Sequence, residues 1–272
     1  MTDRPDSIAR AGVGEQRSVE RAGRRIGYRV RGNGPPVVLL ASLGREASDF
    51  NELTAALAPQ QRTIAIDPPG IGLSELPGEP VTLFDLADDV RAVIAAEATM
   101  PVALIGHAFG NRLARATATR HTDAVEQLVL IAAGGKHPIP GPAHDALFAC
   151  FNPDLPPDEH REKVAYAFFA EGNRIPHHWR VGWHPATATV QAAAVRATPV
   201  EQWWAGGGLP MLVLQGDADR IAPRADSADV LVAEFPDRVR VALVERAGHA
   251  LLPEQPRTIA LRVTGALGGS YP

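Results

Sequence analysis

Six short runs rich in Val, Ile and Leu, at residues 36–40, 62–66, 102–105, 128–131, 211–214 and 239–244, recur between stretches with helical patterning. That alternation is the tightest constraint on the fold. A run such as Pro36-Val37-Val38-Leu39-Leu40 shows no polar alternation, so it suits a strand buried on both faces. Between the runs, Phe50, Leu53 and Leu57 form one helical stripe that Pro59 ends, and Leu83, Leu86, Val90, Val93 and Ile94 form another. Further helices are expected at 109–120, 225–234 and 254–267. Two extended stretches around Gly23, within 18–31, read as an edge hairpin. Strands alternating with helices give an α/β domain, its parallel sheet covered on both faces.

The alternation breaks between 134 and 209. This stretch opens with Gly134-Gly135, is rich in Pro, and closes with Gly206-Gly207-Gly208. Nine of the chain's fifteen Phe, Trp and Tyr residues lie in it. The division expected is a core of residues 1–133 and 210–272 with an inserted helical cap at 134–209. A small cap needs large rings to make any core of its own. Some rings are also expected to line an apolar cleft over the sheet, with Trp179 and Trp183 chosen for that role.

Composition removes several function classes. At 45% hydrophobic and 21% charged residues over 272 positions, the chain is an ordinary globular protein, neither disordered nor fibrous. Its single cysteine, Cys150, excludes an intramolecular disulfide and reads as a small filler. A net charge of −4 gives no reason to expect nucleic acid as partner. No apolar run reaches membrane-spanning length, and residues 1–17 lack the apolar stretch of a secretory signal, so no membrane partner and a cytoplasmic location are expected.

The chemistry starts at Gly106-His107-Ala108-Phe109-Gly110, which follows one expected strand and opens a helix. Small residues on either side of position 108 let strand and helix pass closely, as in a G-x-S-x-G nucleophile elbow. Position 108 carries a methyl group where that motif has a hydroxyl. Three further motifs stand behind strands: Asp67-Pro68-Pro69-Gly70-Ile71-Gly72-Leu73-Ser74, then Gly216-Asp217-Ala218-Asp219-Arg220-Ile221-Ala222-Pro223, then Ala247-Gly248-His249-Ala250. In that order the four motifs resemble the α/β-hydrolase superfamily over almost the whole chain. The resemblance implies a mostly parallel eight-stranded sheet with an inserted helical cap.

It also implies roles. His249 would be the general base, Asp219 would orient its imidazole, and Asp217 would form the turn. His107, the variable elbow residue, would pack beneath it. The backbone amides of Leu43 and Phe109 would form the oxyanion hole. Here the turn is Ala41-Ser42-Leu43-Gly44, where the family usually has His-Gly; it is similar to that of enol-lactone hydrolases and keeps the amide donor. Ser42 either contacts substrate or belongs to the turn. For Ala108 three origins are open: a serine replaced by alanine, a natural ligand-binding receptor, or an original Asp of a dehalogenase or epoxide hydrolase. The intact acid and base favour the first, an inactive nucleophile mutant.

Six of the nine histidines fall in 134–209, but no H-E-x-x-H or H-x-H spacing accompanies them, and no metal is expected. The glycine turns lack a Walker lysine and a dinucleotide G-x-G-x-x-G, so no cofactor is implied. The expected activity is hydrolysis of a carboxylic ester or lactone of a bulky apolar small molecule. A carbon–carbon bond hydrolase with the same triad is the enzymatic alternative. Oligomeric state is open.

Overall fold

The computed structural model describes residues 14–99 and 101–269; residues 1–13 of the polar leader lie outside them. Among the described residues, eight strands form one sheet. They are β1 (Glu15–Arg21), β2 (Arg24–Arg31), β3 (Pro36–Leu40), β4 (Arg62–Ile66), β5 (Val102–His107), β6 (Val125–Ile131), β7 (Met211–Gly216) and β8 (Val239–Val244), in spatial order β1-β2-β4-β3-β5-β6-β7-β8. The hairpin β1–β2 is antiparallel and adds antiparallel to β4; every other pairing is parallel. Its two turn residues, Ala22 and Gly23, both have positive φ, as a two-residue type I′ hairpin demands.

The strand period of two splits the core between faces. Val38, Leu40, Leu104 and Leu130 join one cluster with Leu83, Val90 and Leu231. Val37, Leu39, Ile105 and Ile131 join the other with Leu53, Leu57, Ile259 and Val263. The first face is covered by α2 (Leu83–Glu97), α3 (Phe109–Arg120) and α7 (Ala228–Glu234), the second by α1 (Asn51–Leu57) and α9 (Pro256–Leu267). Between β6 and β7 lies the helical insertion: α4 (Gly141–Ala149), α5 (Pro157–Phe168) and α6 (Pro185–Arg196), each with Pro in its first turn.

Some boundaries differ from expectation. The helices expected from 49 and from 225 begin as 3-10 turns, Ala47–Phe50 and Arg224–Asp226, before α1 and α7. The one expected at 254–267 begins two residues later, as α9, behind a separate short α8 (Leu251–Glu254). Pro256 is the cause: it holds Gln255 at φ −132° and ψ 53°, outside the helical region. The Asp67–Ser74 motif is a turn in which the Ser74 hydroxyl donates to Asp67 O at 2.6 Å and accepts from Gly27 N–H at 2.8 Å, stitching it to β2. Among the described residues no helix is long and apolar enough to cross a membrane.

Strand β5 and helix α3 meet where glycine is obligatory. A Cβ on Gly106 would stand 2.3 Å from Gly110 O, and one on Gly110 would stand 2.0 Å from Leu40 O. Both obstacles are backbone and cannot rotate away. Gly110→Ala is therefore expected to destabilise by at least about 3 kcal/mol, the upper part of the overpacking range. Exposed Gly78, whose Cβ would meet nothing within 4 Å, should tolerate Ala to within about 0.5 kcal/mol. Equilibrium urea unfolding of the two variants checks the contrast.

Candidate active site

The loops that leave the carboxyl ends of β3, β5, β7 and β8 meet at one cavity of about 410 Å³, whose lining includes Ser42, Leu43, Ala108, Phe109 and His249. Parallel strands deliver their following loops to the same edge, and that edge is where open α/β sheets bind ligands.

Ala108 sits between β5 and α3 at φ 51° and ψ −107°. For a residue with a Cβ this is sparsely populated backbone, costing about 1–3 kcal/mol. Helix α3 begins at the next residue. Around it Ala108 N–H donates to Ile131 O, and Asn111 N–H donates to Ala108 O. On the β3 loop, Arg45 N–H donates to Ser42 O and Gly44 N–H to Gln191 Oε1. Their neighbours' bonds thus leave the Leu43 and Phe109 amides, both at the cavity wall, without an acceptor among the described residues. Ser42 lines the cavity, and its carbonyl closes the turn.

His249 and Asp219 lie together and buried. Nδ1 of His249 is 2.9 Å and 3.0 Å from the two Asp219 carboxylate oxygens. Asp219 Oδ1 also accepts from Ile221 N–H at 2.9 Å and Ala222 N–H at 2.8 Å, which fixes the orientation of the carboxylate. The Nε2 nitrogen of His249, with no protein partner among the described residues, is left for the cavity. Asp217 accepts from Arg246 N–H and Ala247 N–H, tying the β7 loop to the β8 loop. His107 is fully buried beneath the site. Its Nε2–H donates to His249 O at 2.8 Å, and burial lowers its pKa to about 4, so it is neutral at pH 7.

Two of the rings expected to face the cleft do not. Trp179 and Trp183 are absent from the cavity lining, where Phe148 and Phe168 stand instead. The cause is Arg45. Its guanidinium, 1% exposed as a residue, lies 4.5 Å from the Trp179 ring centroid and 4.7 Å from that of Trp183. It pairs with Asp49 at 2.7 Å and donates to the carbonyls of His178, Val181 and Gly182. The two rings therefore roof a buried cation, and Trp183 borders a separate surface groove with Cys150 and Phe151.

Sequence reasoning also missed the groups that join cap to core. Gln191 of α6 holds the Gly44 amide at 2.7 Å. Glu254 accepts from Gly248 N–H beside His249 and from Ala170 N–H of the cap, both at 2.7 Å, and burial raises its pKa. No periodicity marks single polar residues of this kind. Among the described residues no group of three or more His, Cys, Asp or Glu could hold a metal ion. Removing the Gln191 acceptor leaves the buried Gly44 N–H unpaired. Gln191→Leu is expected to cost about 1–3 kcal/mol in urea unfolding.

The pimeloyl-[acyl-carrier protein] methyl ester esterase of Aeromonas hydrophila is 27% identical over 249 residues, covering 83% of this chain and 92% of that one. An uncharacterized protein of Mycobacterium tuberculosis is 29% identical over 113 residues, 42% of this chain and 33% of its own length. This chain therefore matches about a third of that mycobacterial relative. Among solved structures, a thermophilic esterase from Thermogutta terrifontis superimposes with a TM-score of 0.79 at 18% identity, over 95% of this chain and 100% of that one, which shows a shared fold. The family model of Serine aminopeptidase, S33 matches residues 35–256, from the start of β3 to beyond His249. The chain belongs to that family, within the α/β-hydrolase superfamily.

Proposed function

We propose that the cavity binds a carboxylic ester or lactone, and that the chain carries the base, the acid and the oxyanion donors of a serine-type hydrolase around a position that lacks its hydroxyl. The observation that carries this reading is the buried Asp219–His249 pair at 2.9 Å beside the strained elbow at Ala108. In the proposed reaction a hydroxyl at position 108 attacks the substrate carbonyl carbon and passes its proton to His249 Nε2. Asp219 holds the opposite nitrogen and stabilises the imidazolium. The amides of Leu43 and Phe109 donate to the developing oxyanion. His249 then returns the proton to the leaving oxygen, and water repeats the sequence to release the acid.

With Ala108 the first step has no nucleophile. Two features support reading Ala108 as a replaced serine. The acid and base remain hydrogen-bonded as the reaction needs them. The backbone also bears a Cβ at φ 51°, where glycine would be unstrained, as expected of a position whose task is to present a side chain. The chain as it stands is then a binder that turns substrate over at a residual rate only.

Ala108→Ser is expected to raise ester or lactone hydrolysis by several orders of magnitude, since loss of the nucleophile alone costs about a millionfold in a serine triad. A slow ester should leave one acyl group on Ser-bearing protein, visible in intact-mass spectra. In that background His249→Ala should abolish the gain, and Asp219→Asn should reduce it by about ten-thousandfold. If Ala108→Ser is inert on aryl esters, enol esters and lactones while the unmodified chain binds such a compound, the chain is a receptor. Cleavage of carbon–carbon bonds without ester turnover would assign the other hydrolase chemistry.

A further inference from the structure

The cavity has a charge character that its chain does not. Its lining includes Arg112, Lys136 and Arg196, against a single carboxylate among the described lining residues, Asp226. The whole chain carries a net charge of −4. Lys136 is neutralised by Glu234, but Arg112 has no such partner. Elsewhere the buried Arg45 is paired with Asp49, and the partly buried Arg24 and Arg62 are paired with Asp89 and Glu97. Arg112, partly buried at the cavity wall, makes no ion pair or hydrogen bond among the described residues, and its desolvation lowers its pKa.

Its neighbour compounds the field. Arg115, one turn on in α3, is fully buried and donates to Asn111 O and Gly134 O, with Trp203 and Trp204 against its guanidinium. It too lacks a carboxylate partner among the described residues, and burial together with the charge of Arg112 brings its pKa down to about 9. A buried cation without a counter-charge is costly unless something else completes it. Arg112 is also given room. Gly135 at φ 125° stands beside it, and a Cβ there would lie 3.3 Å from Arg112 Nε and 2.7 Å from the Trp203 ring.

Arg112 lies in the first turn of α3, where helical side chains lean toward the N-terminus, and it lines the same cavity as Ala108. We propose that the ester or lactone taken by this cavity carries a second group, an anion of carboxylate or phosphate type, which Arg112 grips while the reacting carbonyl lies over Ala108. The inference rests on the reading of the cavity as an ester- or lactone-binding site. The planar guanidinium fork matches either oxyanion with two parallel hydrogen bonds. Arg196, exposed on α6 and without a carboxylate partner among the described residues, adds to the potential that draws an anion to the cavity mouth. Phe148 and Phe168 would cover the apolar chain between the two polar ends.

Three methyl esters that differ only at the far end test this: the half-ester of adipic acid, the matching ω-phosphate, and the matching ω-hydroxyl compound. Titration calorimetry on the unmodified chain needs no catalysis. An anionic ester is expected to bind at least about tenfold more tightly than the hydroxyl ester, consistent with a desolvated charge-assisted pair, and whichever anion binds better identifies the group. Arg112→Gln should bring that ester down to the affinity of the hydroxyl ester. Arg112→Lys, which keeps the charge but not the fork, should fall between. Equal affinities for all three esters overturn the proposal, as does a preference that survives in Arg112→Gln. The two readings fail separately. An Ala108→Ser enzyme that hydrolyses hydroxyl and anionic esters with equal kcat/KM overturns the anion grip and leaves the hydrolase reading intact. An inert Ala108→Ser protein that keeps an Arg112-dependent preference overturns the hydrolase reading and leaves the anion grip standing.

Discussion

Everything at this site hangs on how closely β5, β3 and α3 approach one another. Gly110 lies so near the Leu40 carbonyl that a methyl group would reach 2.0 Å from its oxygen. Backbone contact at that range turns the chain from strand to helix within a single residue, and Ala108 absorbs the turn as positive φ. The sharpness of the turn puts residue 108 at the cavity wall and the first amide of α3 beside it. A helix start leaves its first amides unbonded within the helix, so an unbonded N–H arises at the cavity wall without any dedicated side chain.

A second layer of polar contacts ties the cap to these loops. Gln191, Arg45 and Glu254 each bond one backbone segment of the core to one of the cap, and each is buried or nearly so. Such groups contribute modestly as net hydrogen bonds but are expensive to leave half made. Their effect is to couple cap position to loop position. The loop bearing Leu43 is held by α6 through Gln191 and by the segment around Val181 through Arg45, while the His249 loop is held to Ala170 through Glu254. A cap displaced from the sheet would disturb both sides of the cavity at once.

The two tryptophan pairs of this protein share a logic that aromatic content alone disguises. Trp179 and Trp183 enclose Arg45, and Trp203 and Trp204 enclose Arg115. In both cases a guanidinium removed from water is offered ring faces, and some of its N–H groups donate to backbone carbonyls. Arg45 has Asp49 besides; Arg115 has no carboxylate partner among the described residues. The difference puts uncompensated positive charge behind the cavity and next to Arg112.

The amino-acid sequence by itself determined the sheet, its helices and the order of the four loops. These features are local: a strand buried on both faces must be apolar throughout, a helix must repeat its stripe, and a tight turn must use small residues. Leu39, Leu104 and Gly110 can therefore be read in place. The same holds for Asp219 and His249, because each follows a strand whose end is legible. Tertiary structure alone decided what the rings and isolated charges do. Trp179 was legible as an aromatic in a cap, but whether it faces a ligand or Arg45 depends on contacts across more than a hundred residues of chain. Arg112 looks in sequence like any helical arginine. Its distinction is the absence of a counter-charge among the described residues, a property of the space around a side chain and not of its neighbours along the chain.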